Sequence, residues 1–145
     1  MSRNESQTCR ELIEPALRQA GWGFDRQLEL GPGPVNLSGG NMYDDTQRLV
    51  VDYLLRIGPL PIAILEAKAE TEPAADGIQQ GSRYANRLGL RFSIASNGVE
   101  HIVTDNQTGG FEVVPSIPSP ADLLSRSGRK IAWETWKKEI GRAHV

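Results

Sequence analysis

The sequence predicts an α/β fold, a central sheet with helices packed on it, and three observations carry that expectation. Runs rich in Val, Ile and Leu and bounded by Gly and Pro, such as 49–57 and 62–67, read as strands. Stretches at 5–20, at 77–88 and from 119 onward carry helix start and stop signals. The two kinds of segment are interspersed along 145 residues, enough for one ordinary core.

The elements follow in order. A first helix covers about 5–20 and ends at Ala20-Gly21-Trp22. Pro15 falls inside it and removes one backbone bond, so a kink or a later start is expected. The 31–40 stretch is rich in Gly and Pro and reads as a loop. Strands at 49–57 and 62–67 are joined by the turn Gly58-Pro59-Leu60-Pro61. Asp76 is placed to cap a helix over 77–88, with Gly89 as its stop. Strands at 91–96 and 100–105 flank Asn97-Gly98, a strong turn dipeptide. A last strand at 111–114 follows Thr108-Gly109-Gly110. Ser119-Pro120-Ala121-Asp122 then reads as a cap, a first-turn proline and an acid opening another helix.

Composition excludes several classes. A formal charge of −2 and a pI near 5.7 argue against a free-standing nucleic-acid binder, which is typically basic. Cys9 is alone, so neither a disulfide framework nor a thiolate cluster is available. His101 and His144 are too few and too scattered for a zinc site. No signal peptide or membrane-length apolar run is present, which makes a cytoplasmic protein the expectation.

Asp52 and Glu66-Ala67-Lys68 are the candidate chemistry. Side chains alternate along a strand, so Glu66 and Lys68 share a face, and a hairpin about Pro59 or Leu60 sets Asp52 opposite one of them. A one-residue slip would send Asp52 to the other face. Mg²⁺ usually takes one or two protein carboxylates and leaves room for water and substrate phosphate, which Asp52 and Glu66 would allow. Lys68 would orient the attacking water or stabilise developing negative charge. A plain cross-strand salt bridge is the alternative from these residues alone. On the following helix Gln80 and Tyr84 lie four apart and share a face, suited to a sugar–phosphate backbone. Arg83 and Arg87 repeat that spacing and, with Arg91, form a modest basic stripe; a solvated face is the competing reading.

Asp52, Glu66-Ala67-Lys68 and Gln80 through Tyr84 together resemble the PD-(D/E)xK nuclease pattern with its trailing QxxxY element. The phrases at 4–22, 51–70, 77–98 and 116–126 are similar to the start of type I restriction enzyme R subunits, in the same order. Val51 departs from the family's usual small Ala before Asp-Tyr, and 30–48 is less family-like. The resemblance implies a restriction-endonuclease-like mixed central sheet flanked by helices. It also implies a Mg²⁺-dependent (or Mn²⁺-dependent) endonuclease acting on double-stranded DNA, with Asp52 and Glu66 as metal ligands and Lys68 as the catalytic lysine. Gln80 and Tyr84 would be the accessory pair. Glu5 would approach the metal from the first helix, or be only an acid favoured at a helix start; Glu14 reads as solvated. Methyltransferase and specificity subunits would be the partners. ATP would act only through motor domains, because no G-x-x-x-x-G-K-[ST] loop occurs here. A nuclease of a type III-like or other defence system, and a noncatalytic DNA-binding module of the same fold, are the alternatives.

The nuclease domain is expected to span 1–128, with 129–145 starting a linker to the motor. The end, Glu139-Ile140-Gly141-Arg142-Ala143-His144-Val145, can be encoded by a string that matches a sequencing-library adapter after its first base. Residues 140–145 are therefore expected to be adapter-derived.

Overall fold

Ile13 and Leu17, one turn apart, are fully buried and seat the first helix on the sheet. The computed structural model describes residues 3–30 and 49–126; the expected 31–40 loop and the stretch from 129 onward lie outside them. The helix opens with a reciprocal cap: Asn4 Oδ1 accepts from Gln7 N at 2.8 Å, and Gln7 Oε1 accepts from Asn4 N at 3.1 Å. It runs as α1 (Glu5–Thr8), a π-helical turn at Cys9–Ile13 and α2 (Glu14–Ala20). The start at Glu5 is not delayed, and the helix loses its regularity just ahead of Pro15. The turn ahead of the proline is widened, with Glu14 N–H reaching back to Cys9 O, which accounts for the absence of a break where the ring would crowd a regular turn. Gly21 stops the helix in the left-handed region at φ 99°.

The remaining elements are β1 (Gly23–Leu30), β2 (Leu49–Ile57), β3 (Leu60–Ala67), α3 (Ile78–Leu88), β4 (Phe92–Ser96), β5 (His101–Asp105), β6 (Phe111–Val114) and α4 (Pro120–Arg126). The six strands form one sheet in chain order. Neighbours are antiparallel except β3 and β4, which run parallel because α3 carries the chain back between them. The fold is therefore α/β with a mixed sheet, as expected.

Strand β1 is not among the expected elements, although Phe24, Leu28 and Leu30 fall on alternate positions among polar residues. It pairs with β2 from Gly23↔Arg56 to Leu30↔Leu49. The Arg56 guanidinium reinforces it, donating to both Asp25 oxygens at 2.7 and 2.9 Å.

Alternation assigns the two faces of the sheet. Leu65, Ala67, Ile94 and Val103 pack with Ile13, Leu17 and Leu123 on one side. Ile64 and Leu54 pack with Tyr84 and Ala85 of α3 on the other. Each fully buried Leu or Ile contributes about 1.5–3 kcal/mol. Asp76 does not cap α3. It lies in a 3-10 turn at Ala74–Gly77, and the cap position falls to Gly77, which makes no side-chain bond. Ser119 does cap α4, its Oγ accepting from Asp122 N at 3.1 Å.

Candidate active site

The hairpin of β2 and β3 sets the site through an irregularity. At its tip Ile57 pairs with Leu60 and Arg56 with Pro61. Continued unbroken, that register would set Asp52 opposite Leu65 and leave Glu66 on the far face. A β-bulge at Ile62 shifts it, so that Leu55 pairs with Ala63, Leu54 with Ile64 and Tyr53 with Leu65. The next positions along are Asp52 and Glu66, now on one face. The slip that would separate the two carboxylates in a regular hairpin is what joins them here. Asp52 also closes the ladder, its Oδ2 accepting from Ala67 N at 2.8 Å.

A second irregularity lies across from Asp52. Gln27 sits between the pairs Arg26↔Tyr53 and Leu28↔Val51 with φ 51°, a left-handed conformation in a non-glycine residue. Such a residue costs about 1–2 kcal/mol. The ribbon turns over at this level: Tyr53 and Leu55 face one core cluster, whereas Leu49 and Val51 belong to the other. Stored backbone strain of this kind gathers at functional sites.

Glu66 is buried at 4% exposure, and its Oε2 has no hydrogen-bond partner. Burial pushes its carboxyl up to about 9, helped by the charge of Asp52 and a hydrogen bond with it and opposed by Lys68. α3 lies close over it through small residues: a Cβ at Gly77 or Gly81 would come 3.6 Å from Glu66 Cβ, ordinary contact. Lys68 is half-buried just past β3, and its N–H extends the pairing with β4 by donating to Ser96 O at 2.8 Å. Asp52, Glu66 and Lys68 are thus brought together.

Glu5 is exposed on α1 and close enough to feel the site. Its carboxyl is raised by burial first, then by Asp52, with Lys68 opposing. Among the described residues, however, no three His, Cys, Asp or Glu side chains are grouped to hold a metal. Glu5 therefore does not complete a three-carboxylate set with Asp52 and Glu66. On α3 the exposed Gln80 donates from Nε2 to Tyr84 Oη at 2.5 Å, while the Tyr84 ring is buried in the α3-side core. Arg83 is exposed and Arg87 half-buried on the same helix. Arg91 leaves the expected stripe, because its guanidinium donates to both Asp105 oxygens at 2.9 Å.

Glu14 corrects the reading of a solvated residue. It is buried and accepts from Arg26 at 2.8 and 2.7 Å, from Tyr53 Oη at 2.7 Å and from Arg18 at 3.3 Å. Arg26 holds its carboxyl below the usual range, with burial acting against it. The signal was the i, i+4 partner Arg18 beside the core residues Ile13 and Leu17, but Arg26 and Tyr53 reach Glu14 only in the fold. Asn97 was read only as a turn residue, although it also bonds to Glu72 O at 2.8 Å.

Chemically, the site offers oxygen donors from Asp52 and Glu66, an ammonium from Lys68 and an amide–hydroxyl pair on the adjoining helix. Such a donor set suits a hard cation rather than a soft one.

The sequence matches the family described as the type I restriction enzyme R protein N terminus over residues 37–110. A curated relative, the endonuclease subunit of the type I restriction enzyme EcoAI from Escherichia coli, is 30% identical over 132 residues. That match covers 84% of this chain and 16% of the relative. A solved fragment described as an HsdR subunit of a type I restriction enzyme, from Vibrio vulnificus YJ016, superposes with a TM-score of 0.73 at 34% identity. The likeness covers 87% of this chain and 25% of the fragment, so the chain spans a minor part of either relative.

Proposed function

The chain belongs to the type I restriction enzyme R protein N-terminal family, and from that premise we propose that it is the subunit's DNA-cleaving domain, a Mg²⁺- or Mn²⁺-dependent PD-(D/E)xK nuclease. The observation that carries the reading is Glu66: a buried carboxylate with one oxygen lacking any donor, next to a second carboxylate. A buried polar atom without a partner is costly, and a cation shared with Asp52 would replace the proton that Glu66 otherwise keeps and satisfy that oxygen.

Asp52 and Glu66 would hold the ion. When bound, Mg²⁺ would polarise a phosphoryl oxygen and lower the pKa of a coordinated water, leaving less for the protein's own groups to supply in activating it. Lys68, near enough for its charge to act on both Glu66 and Glu5, would stabilise the negative charge that grows on the phosphate. The buried Tyr84 ring fixes its hydroxyl, which in turn orients the Gln80 amide toward the DNA backbone. Arg83 and Arg87 extend that contact to neighbouring phosphates.

A net charge of −2 gives little general attraction for DNA. Delivery therefore falls to methyltransferase and specificity subunits and to an ATP-driven motor of the R subunit, in a complex that acts in the cytoplasm as part of phage defence. No helix among the described residues is long and apolar enough to cross a membrane.

Metal removal tests the reading. The chain at high concentration nicks supercoiled plasmid slowly in Mg²⁺ or Mn²⁺, and EDTA stops it. Nicking that continues at full rate in EDTA would overturn it.

A further inference from the structure

Between Lys68 and the 3-10 turn at Ala74–Gly77 the chain is in neither helix nor strand, yet it links the lysine to the helix that bears Gln80 and Tyr84. It is held from outside. Lys68 N donates to Ser96 O at 2.8 Å, and Glu70 N donates to Thr8 Oγ1 at 3.1 Å. Asn97 Nδ2 donates to Glu72 O at 2.8 Å, and Ala74 N donates to Glu100 Oε1 at 3.2 Å. Two of these four bonds come from the single turn between β4 and β5, and a third from Ser96, the last residue of β4.

That turn is a rigid anchor. Asn97 is buried, and its Oδ1 accepts from both Val99 N at 3.0 Å and Glu100 N at 2.7 Å. Gly98, at φ 89°, is wedged against the first helix, where a Cβ would fall 2.7 Å from Leu12 Cδ1. One amide therefore shapes the turn with its oxygen and grips the neighbouring segment with its nitrogen.

We infer that Asn97 is a positioning residue, clamping the 68–77 segment so that Lys68 and the Gln80 helix keep their places relative to Asp52 and Glu66. The inference rests on the nuclease reading for its functional part and on geometry for the clamp itself. Supporting groups one layer behind a reacting centre typically change activity by about 10- to 100-fold.

Asn97→Asp separates the two jobs. It keeps an acceptor for both turn N–H groups and replaces the donor with an oxygen facing the Glu72 carbonyl. Amide exchange across 68–77 is expected to quicken by about tenfold while the β2–β3 amides stay protected, because only that clamp is lost. Metal-dependent nicking falls by about tenfold in kcat, with DNA affinity close to wild type, at a temperature far below unfolding. Glu100→Ala, at an exposed position, produces the same pattern more weakly, and Glu100→Gln, which retains the acceptor, restores wild-type behaviour.

Unchanged exchange across 68–77 in Asn97→Asp overturns the clamp. Quickened exchange with wild-type nicking overturns its role in positioning. A wild-type chain that never nicks DNA counts against the nuclease reading instead, and the exchange data still decide the clamp.

Discussion

Asp52→Asn and Lys68→Ala each reduce metal-dependent DNA cleavage by about 100-fold or more, the scale of losing one group that acts on developing charge. Asp52→Asn is the cleaner change, because its side-chain oxygen can still accept from Ala67 N, the bond that closes the hairpin at 2.8 Å. Unfolding midpoints close to wild type therefore accompany the loss. Lys68 is half-buried and its backbone makes the bond to Ser96, so removing its side chain leaves that connection in place. Rates of plasmid nicking at saturating Mg²⁺, read beside thermal melts, check both. Wild-type rates in either variant would remove that residue from the chemistry.

Glu66→Gln stabilises the metal-free chain at alkaline pH while abolishing cleavage. An unfolded Glu ionises near the ordinary carboxylate value of about 4.3, whereas in the fold Glu66 keeps its proton up to about 9. Between those values the folded state binds more protons than the unfolded state, so wild-type stability falls as pH rises through that window and levels off above it. Gln cannot ionise, and the variant loses this part of the slope. At pH 8 in EDTA its advantage is on the order of 5 kcal/mol, from roughly four pH units of that window at about 1.4 kcal/mol each. Mg²⁺ then narrows the gap, since binding to the folded state stabilises the wild type and not the variant. Urea titrations at pH 5 and 8, with and without Mg²⁺, measure all of this. Parallel pH slopes for wild type and variant would contradict the burial argument.

The legible part of this molecule was written locally. Asp52 stands out as a charge inside one apolar run and Glu66 and Lys68 at the end of another, and the Gln80–Tyr84 spacing, the Asn97-Gly98 turn and the Ser119 cap follow near-neighbour rules. What could not be read depends on contacts distant in sequence. Pro61 hints at an irregularity, since proline in a strand favours edges and bulges, but Leu60-Pro61-Ile62 does not say where the extra residue falls or which way the register shifts. β1 mixes Phe24, Leu28 and Leu30 with four charged or amide side chains, and its pairing with β2 joins residues about 20 to 30 positions apart. The burial of Glu14 required Arg26 and Tyr53 to arrive from other elements. Asp76 has the side chain of a cap, but a 3-10 turn placed Gly77 at the helix start instead.

Crystals of the chain soaked with Mn²⁺ and measured at the manganese absorption edge test the central claim most directly. Anomalous density is expected between Asp52 and Glu66, with a carboxylate oxygen of each at about 2.2 Å and the Lys68 ammonium facing the same space. Manganese bound elsewhere, or none at occupancy-saturating concentrations with the two carboxylates turned apart, would contradict it.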